Sequence, residues 1–261
     1  MKKHLLLLAA LLCFASLAWA NFGYQIVEGP VVETEAPVCS TPTDGSVFND
    51  GFLGATAVSG GSFGSAETAW TATQGTNGSI DADATLTGSP PTGSCAEGLN
   101  VAVTTSGGAT FTMHDLGAAL SDDDNNDIYM EFRINSYTLP ANYDEFQILG
   151  FTYANADPDS SNRVYFQRDA SGNPTVRIKA SGGTGSSNAS VSVATWHTLH
   201  MHYDPTEANC YFTIDGGSQY SFTRAAFSSP RYIYSGMCAD VDADEAVNIE
   251  YGRIWVSTST P

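Results

Sequence analysis

The sequence predicts an all-β protein, an antiparallel two-sheet β-sandwich, and three observations carry that prediction. Short runs alternating apolar and polar residues with period 2 recur along most of the chain, clusters of Gly, Pro, Asn, Asp and Ser separate them, and no ten-residue segment makes a convincing amphipathic helix. Composition points the same way, because 25 glycines supply turns while 12 tyrosines and 13 phenylalanines suit a pleated, half-buried surface. No repeat of 20–50 residues is visible, which argues against a solenoid or a propeller.

The chain opens with Lys2 and Lys3, an apolar run over residues 5–18 and the small-x-small triplet Ala18-Trp19-Ala20. This is the layout of a secretory signal peptide over residues 1–20, and it implies a secreted protein, extracellular or periplasmic. No later stretch reaches the roughly 20 apolar residues of a membrane-spanning helix. Residues 21–42, with Pro30, Pro37 and Pro42, read as an extended linker or as an arm that adds to a neighbouring subunit; residues 43–261 read as one large β domain. A strand is expected over residues 47–53, then a Gly/Ser/Thr-rich loop over 55–68. Within that loop Gly60-Gly61-Ser62-Phe63-Gly64 has the form G-x-S-x-G, without the strand-turn-helix setting of a nucleophile elbow.

Strands follow over residues 70–73, 79–86, 99–104 and 109–114, and a charged loop over 121–127. In the next strand, residues 128–135, Ile128, Met130, Phe132 and Ile134 point inward while Tyr129, Glu131 and Arg133 point outward. Strands over 145–153, 163–168 and 175–180 are separated by Asp157-Pro158-Asp159 and Ser171-Gly172-Asn173-Pro174. The organising stretch is residues 195–216, TWHTLHMHYDPTEANCYFTIDG. Leu199, Met201 and Tyr203 share one face of its first strand, and Thr198, His200 and His202 the other. Asp204-Pro205 ends that strand, Cys210 to Ile214 forms the second, and Asp215-Gly216-Gly217 is a hairpin signal. Strands over 231–237 and 247–256 complete the chain.

Cleavage after Ala20 would leave 241 residues carrying eight basic and 28 acidic side chains, a net charge of −20, with Lys179 as the remaining lysine. Such a surface repels nucleic acid and anionic membranes. It also disfavours polyanionic ligands unless a local patch or a bound cation intervenes. Cys39, Cys95, Cys210 and Cys238 remain after processing, an even number that reads as two disulfides with three pairings open. Cys39 with Cys95 and Cys210 with Cys238 is favoured, since each pair would close one half of the domain. No Cys/His cluster has zinc spacing.

The Trp196-His197 strand ending in Tyr203-Asp204, followed by a short strand ending in Asp215-Gly216, resembles the laminin-G-like and concanavalin A-like jelly rolls. The resemblance implies a carbohydrate-binding, lectin-like or surface-adhesion module. It also raises enzymes, because polysaccharide lyases and glycoside hydrolases share that jelly roll. The hydrolase pattern E-x-D-x-x-E, which sets two carboxylates about 5 Å apart, does not occur. Met130-Glu131-Phe132-Arg133, Phe146-Gln147-Ile148-Leu149 and Arg231-Tyr232-Ile233-Tyr234-Ser235-Gly236 resemble three strands of the alginate-lyase type, but Leu149 stands where that family has its histidine. The group that helps move the proton is therefore missing. A non-catalytic glycan-binding module is the expectation, with a structural surface subunit assembling through its arm, or a divergent lyase or hydrolase, as alternatives.

Glycan recognition needs aromatic rings for apolar sugar faces and planar polar groups for hydroxyls. The outward candidates on strands expected to form a concave sheet are Tyr129, Glu131, Arg133, Gln147, Tyr165, Gln167, Arg177, Tyr232 and Tyr234. His200 and His202, two apart on one face, would chelate a metal only if a third ligand came from a neighbouring strand; otherwise they are ordinary outward positions. By resemblance, a structural calcium would lie between the opening and closing strands, using oxygens around Asp50 and the carboxylate of Glu250.

Overall fold

The computed structural model describes residues 46–50, 61–64, 69–91, 97–116, 125–139, 145–152, 162–179, 189–203, 209–223, 231–237 and 244–259. All belong to one compact unit, Pro37–Pro261. The expected signal peptide and arm, together with Cys39, Cys95 and Cys238, fall outside the described residues, and of Cys210 only the backbone is described. Among the described residues no helix is long and apolar enough to cross a membrane.

Among the described residues, sixteen strands, β1 to β16 in chain order, form two antiparallel sheets of eight. Sheet A runs β14 (Tyr220–Thr223), β13 (Asn209–Ile214), β12 (Trp196–Tyr203), β7 (Asn125–Thr138), β16 (Ala246–Ser259), β5 (Glu97–Val103), β4 (Gly78–Thr85). β1 (Ser46–Asp50) joins it beside β16, past the end of β5. Sheet B runs β11 (Ala189–Ser190), β10 (Pro174–Lys179), β9 (Asn162–Arg168), β8 (Glu145–Thr152), β15 (Tyr232–Met237), β6 (Thr110–Asp115), β3 (Ala69–Thr73), β2 (Gly61–Gly64).

Period-2 alternation explains how the sheets meet. From sheet A, Ile128, Met130, Phe132, Ile134, Leu199, Met201, Phe212 and Ile254 enter the core; Phe146, Ile148, Val164, Phe166, Val176, Ile178 and Ile233 enter it from sheet B. Each such side chain contributes about 1.5–3 kcal/mol on burial. Bulges then re-aim particular positions. In β8 the register shifts between Gln147 and Leu149, so that Ile148 and Leu149 both enter the core. A bulge leaves its extra residue outside the strand ladder, and the Ile148 carbonyl accepts a hydrogen bond from Tyr251 Oη of sheet A at 2.8 Å. That bond crosses the sandwich.

The strands expected from the sequence are present with shifts of a few residues at their ends, and three differences matter. Gly61–Gly64, expected inside a loop, is strand β2, where it pairs with β3. Tyr220–Thr223 is strand β14. Both complete hydrogen-bond ladders at a sheet edge, a gain that local composition does not register. Asp127, assigned to a charged loop, lies within β7, which begins at Asn125. The hairpin signal after β13 holds: Asp215 and Gly216 have φ of 53° and 65°, both in the left-handed region that a tight two-residue turn requires.

Candidate functional site

The fold divides the nine outward candidates between two sheets. Tyr129, Glu131 and Arg133 sit on β7 of sheet A, whereas Gln147, Tyr165, Gln167, Arg177, Tyr232 and Tyr234 sit on β8, β9, β10 and β15 of sheet B. The expectation of a single shared sheet is thereby corrected. Period 2 says which face a residue occupies, but the hydrogen-bonded partner of a strand is a long-range outcome; β7 pairs with β12 and β16.

On sheet B the register sets these side chains in rows. Arg177 pairs with Tyr165, which pairs with Gln147, so a guanidinium, a phenol and an amide stand side by side across β10, β9 and β8, about 4.8 Å apart from strand to strand. The next row is Thr175, Gln167 and Glu145. On the opposite side Arg163 pairs with Gly150, which also pairs with Tyr234. Gly150 thus stands between Arg163 and Tyr234 in the ladder, and the Tyr234 ring leans on Phe111 at 5.6 Å.

These outward side chains are nevertheless secluded: Gln147 is 4% exposed, Tyr165 3%, Gln167 3% and Tyr234 2%. Polar groups taken from water need partners. Arg177 Nη1 donates to Gln167 Oε1 at 3.2 Å, and its guanidinium lies 5.9 Å from the centre of the Tyr165 ring. Arg163 Nη2 donates to Glu145 Oε1 at 2.7 Å. Burial pushes the Tyr165 phenol above its usual 10.0, while the Arg177 charge pulls it back. Tyr232 is half-buried at the strand end, with the Arg231 guanidinium 5.2 Å from its ring centre. Leu149 faces the core, not this surface. The position that matched the lyase histidine is thus turned away from the outer face by the β8 bulge.

Sheet A's outer face is organised differently. Residues 86–90 cross it as a strap. Thr87 N and Thr87 Oγ1 donate to the two Glu250 carboxylate oxygens at 3.0 and 2.8 Å, and Trp196 Nε1 donates to the Thr87 carbonyl at 2.8 Å. Arg133 Nη1 lies 3.7 Å from Glu250 Oε2. Beneath the strap, a bulge in β16 puts Gly252 where a Cβ would fall 2.9 Å from Pro90 and 3.1 Å from Glu131 Oε2. Only glycine lets the strap sit so close. Glu131 and Arg253 are fully buried there.

Glu250 and Asp50 are the residues the resemblance assigns to calcium. Glu250 already accepts two hydrogen bonds and faces a guanidinium, and Asp50 is registered opposite Ile254, four residues further along β16. Among the described residues no group of three His, Cys, Asp or Glu side chains is arranged to hold a metal ion.

His200 and His202 do meet a third group. His200 Nε2 and His202 Nδ1 lie 2.7 and 2.9 Å from the same oxygen, Asp127 Oδ1. Alternation through Asp127, Tyr129 and Glu131 was the signal that could have placed this carboxylate on the strand. Burial alone would raise the Asp127 carboxyl, but the two histidine hydrogen bonds outweigh it and hold it below its usual 3.8. Alongside, His200, Tyr129 and Trp255 stack across β12, β7 and β16, with centroid separations of 4.2 and 4.7 Å and interplanar angles of 6° and 7°. His197 is a linchpin of the β12 hairpin, Nδ1 lying 2.7 Å from Asp215 Oδ2 and Nε2 2.9 Å from the Ser192 carbonyl.

The two packed antiparallel sheets match solved structures. A carbohydrate esterase from Shiga toxin-encoding bacteriophage phi24B superposes with a TM-score of 0.50 at 15% identity, covering 73% of this chain and 90% of that one. The fold is a concanavalin A-like jelly roll. A sialidase aligns at 11% identity and TM-score 0.49 over 73% of this chain, which spans 17% of the sialidase's length. A family 7 alginate lyase aligns at 13% identity and TM-score 0.44, covering 62% of this chain and 80% of that one. No family model matches the chain. No curated protein matches it either.

Proposed function

We propose that this jelly roll is a carbohydrate-binding module whose ligand lies along the outer face of sheet B, without bond cleavage. One observation carries the reading: rows of planar polar and aromatic side chains, Arg177-Tyr165-Gln147 and Thr175-Gln167-Glu145, are held in register and secluded from bulk water on a sheet face. Rings that cover apolar sugar faces and amides that pair with hydroxyls are what such a ligand requires. The bacteriophage protein of the same fold is a carbohydrate esterase, which agrees with a glycan ligand, although likeness of fold alone does not fix function.

Absence of cleavage is argued from the face itself. Glu145, the carboxylate of the two rows, is bonded to Arg163, and the β8 bulge turns position 149 inward. Affinity electrophoresis of the purified chain through gels containing different polysaccharides tests the reading. At least one polysaccharide should retard the protein, Gln147→Ala and Tyr234→Ala should lose the retardation, and His200→Ala on sheet A should keep it. Retardation by no polysaccharide, or its loss in the sheet A variant alone, would sink the assignment. New reducing ends or unsaturated products on incubation would show that the face is catalytic instead.

A further inference from the structure

The buried hydroxyls of sheet B are of two kinds. Among the described residues, the buried serine and threonine side chains are Thr110, Thr112, Thr175 and Ser235. Thr110 Oγ1 donates to the Gly108 carbonyl at 2.9 Å and accepts from the Gly75 amide at 3.1 Å, while Thr175 Oγ1 donates to the Gln167 carbonyl at 3.2 Å. Thr112 Oγ1 and Ser235 Oγ, both on residues 0% exposed, have no hydrogen-bond partner among the described residues. These two hydroxyls are not scattered through the core. Thr112 on β6 is the register partner of Ser235 on β15. Thr112 also pairs with Ala72, and Ser235 with Leu149, so a row Ala72-Thr112-Ser235-Leu149 crosses β3, β6, β15 and β8. Its two ends belong to the hydrophobic core, which puts the row on the inner face of the sheet.

We propose that Thr112 Oγ1 and Ser235 Oγ together hold one buried water molecule between β6 and β15. The site is independent of the carbohydrate reading, since it lies on the inner face of the sheet and not on the outer one. Energetics call for an occupant. A hydroxyl has one hydrogen to donate and two lone pairs to offer, and burying it with none of them used is destabilising. Valine and alanine would fill the same two positions without a polar atom. Geometry admits a bridge: side chains directly opposite on antiparallel strands have Cβ atoms about 4.5–5.5 Å apart, and a water bonded at about 2.8 Å to each hydroxyl spans oxygens up to about 5.6 Å apart. Chemistry then selects the ligand. Neither hydroxyl carries a charge, and Ala72 and Leu149 flank the pair, so an ion would lose more hydration than these groups return. Water is neutral, small and able both to donate and to accept, and buried waters ordinarily serve polar groups of this kind. The bridge adds a side-chain link between β6 and β15 to the backbone ladder that already joins them.

A high-resolution crystal structure of the purified chain tests the site directly. One ordered water should lie within hydrogen-bond distance of both Thr112 Oγ1 and Ser235 Oγ. Urea unfolding gives a second test, which reads the energetics. Thr112→Val and Ser235→Ala each delete one hydroxyl and nearly keep the shape, and each should lower the urea midpoint, because the remaining hydroxyl loses its bridge. The double variant should be no less stable than the less stable single one, since the second substitution removes the last unpaired atom. A raised midpoint in either single variant would mean that the hydroxyls are unpaired in the native protein, and additive losses would mean that they act separately; both results overturn the proposal. Density showing the two hydroxyls bonded directly to each other, or no water between them, overturns it as well.

Discussion

The outer face of sheet A and the outer face of sheet B are built from similar residue types and are organised differently. On sheet A the polar and aromatic groups are turned on one another: Glu250 holds the strap at Thr87, Asp127 holds His200 and His202, and Tyr129 is filled on both ring faces by His200 and Trp255. On sheet B, Tyr165, Gln147, Gln167 and Arg177 form continuous rows across β8, β9 and β10. What the contrast teaches is that outwardness on a strand does not make a residue available. Availability depends on whether a neighbouring strand or a crossing segment has already used its hydrogen bonds and ring faces.

The largest expected effect breaks the closed face. Glu250→Gln removes the charge beside Arg133 and weakens the hold on Thr87, and should cost about 3 kcal/mol in urea unfolding. Polysaccharide retardation below the melting temperature should be unchanged, since the strap crosses the other sheet. An unaltered urea midpoint would show that the strap is not anchored through this carboxylate.

A smaller effect probes the ring ladder. Tyr129→Leu deletes two stacked contacts and should lower stability by about 1–2 kcal/mol, with loss of near-ultraviolet circular dichroism from the Trp255 environment. If Tyr129→Leu instead weakened glycan retardation while stability held, the assignment of the two faces would be reversed.

The smallest effect is conditional on pH. Asp127 has a folded-state pKa below its unfolded value, so its contribution is present above about pH 4 and is lost as pH falls through the folded value. Asp127→Asn should therefore be less stable than wild type at neutral pH, and the two should converge as pH falls through the folded-state value. Urea midpoints across that range provide the check; a difference that grew on acidification would contradict the hydrogen-bonded arrangement.

Much of the architecture is legible residue by residue. The alternation Ile128, Met130, Phe132, Ile134 against Tyr129, Glu131, Arg133 places the first set in the core as expected. The Asp215-Gly216 hairpin is equally direct, because only a few residue types tolerate its backbone. The candidate face was half legible. Gln147, Tyr165, Gln167 and Arg177 are neighbours, whereas Glu131 and Arg133 belong to the other sheet under the strap. Nothing in residues 86–90 announces that they cross β16 and β7, since the contacts that hold them come from Trp196 and Glu250, 109 and 163 positions away from Thr87.

The sequence by itself determined that this chain makes many short strands, which side of each strand is apolar, and where several of its turns fall. These are local properties, set by side-chain period, turn chemistry and composition. Only the tertiary structure decided which strands share a sheet, where a bulge reverses a face as at Ile148 and Leu149, and which outward groups are consumed internally. The physical reason is that strand pairing is a contest among distant segments for the same backbone hydrogen bonds, and its outcome depends on the packing of the whole core.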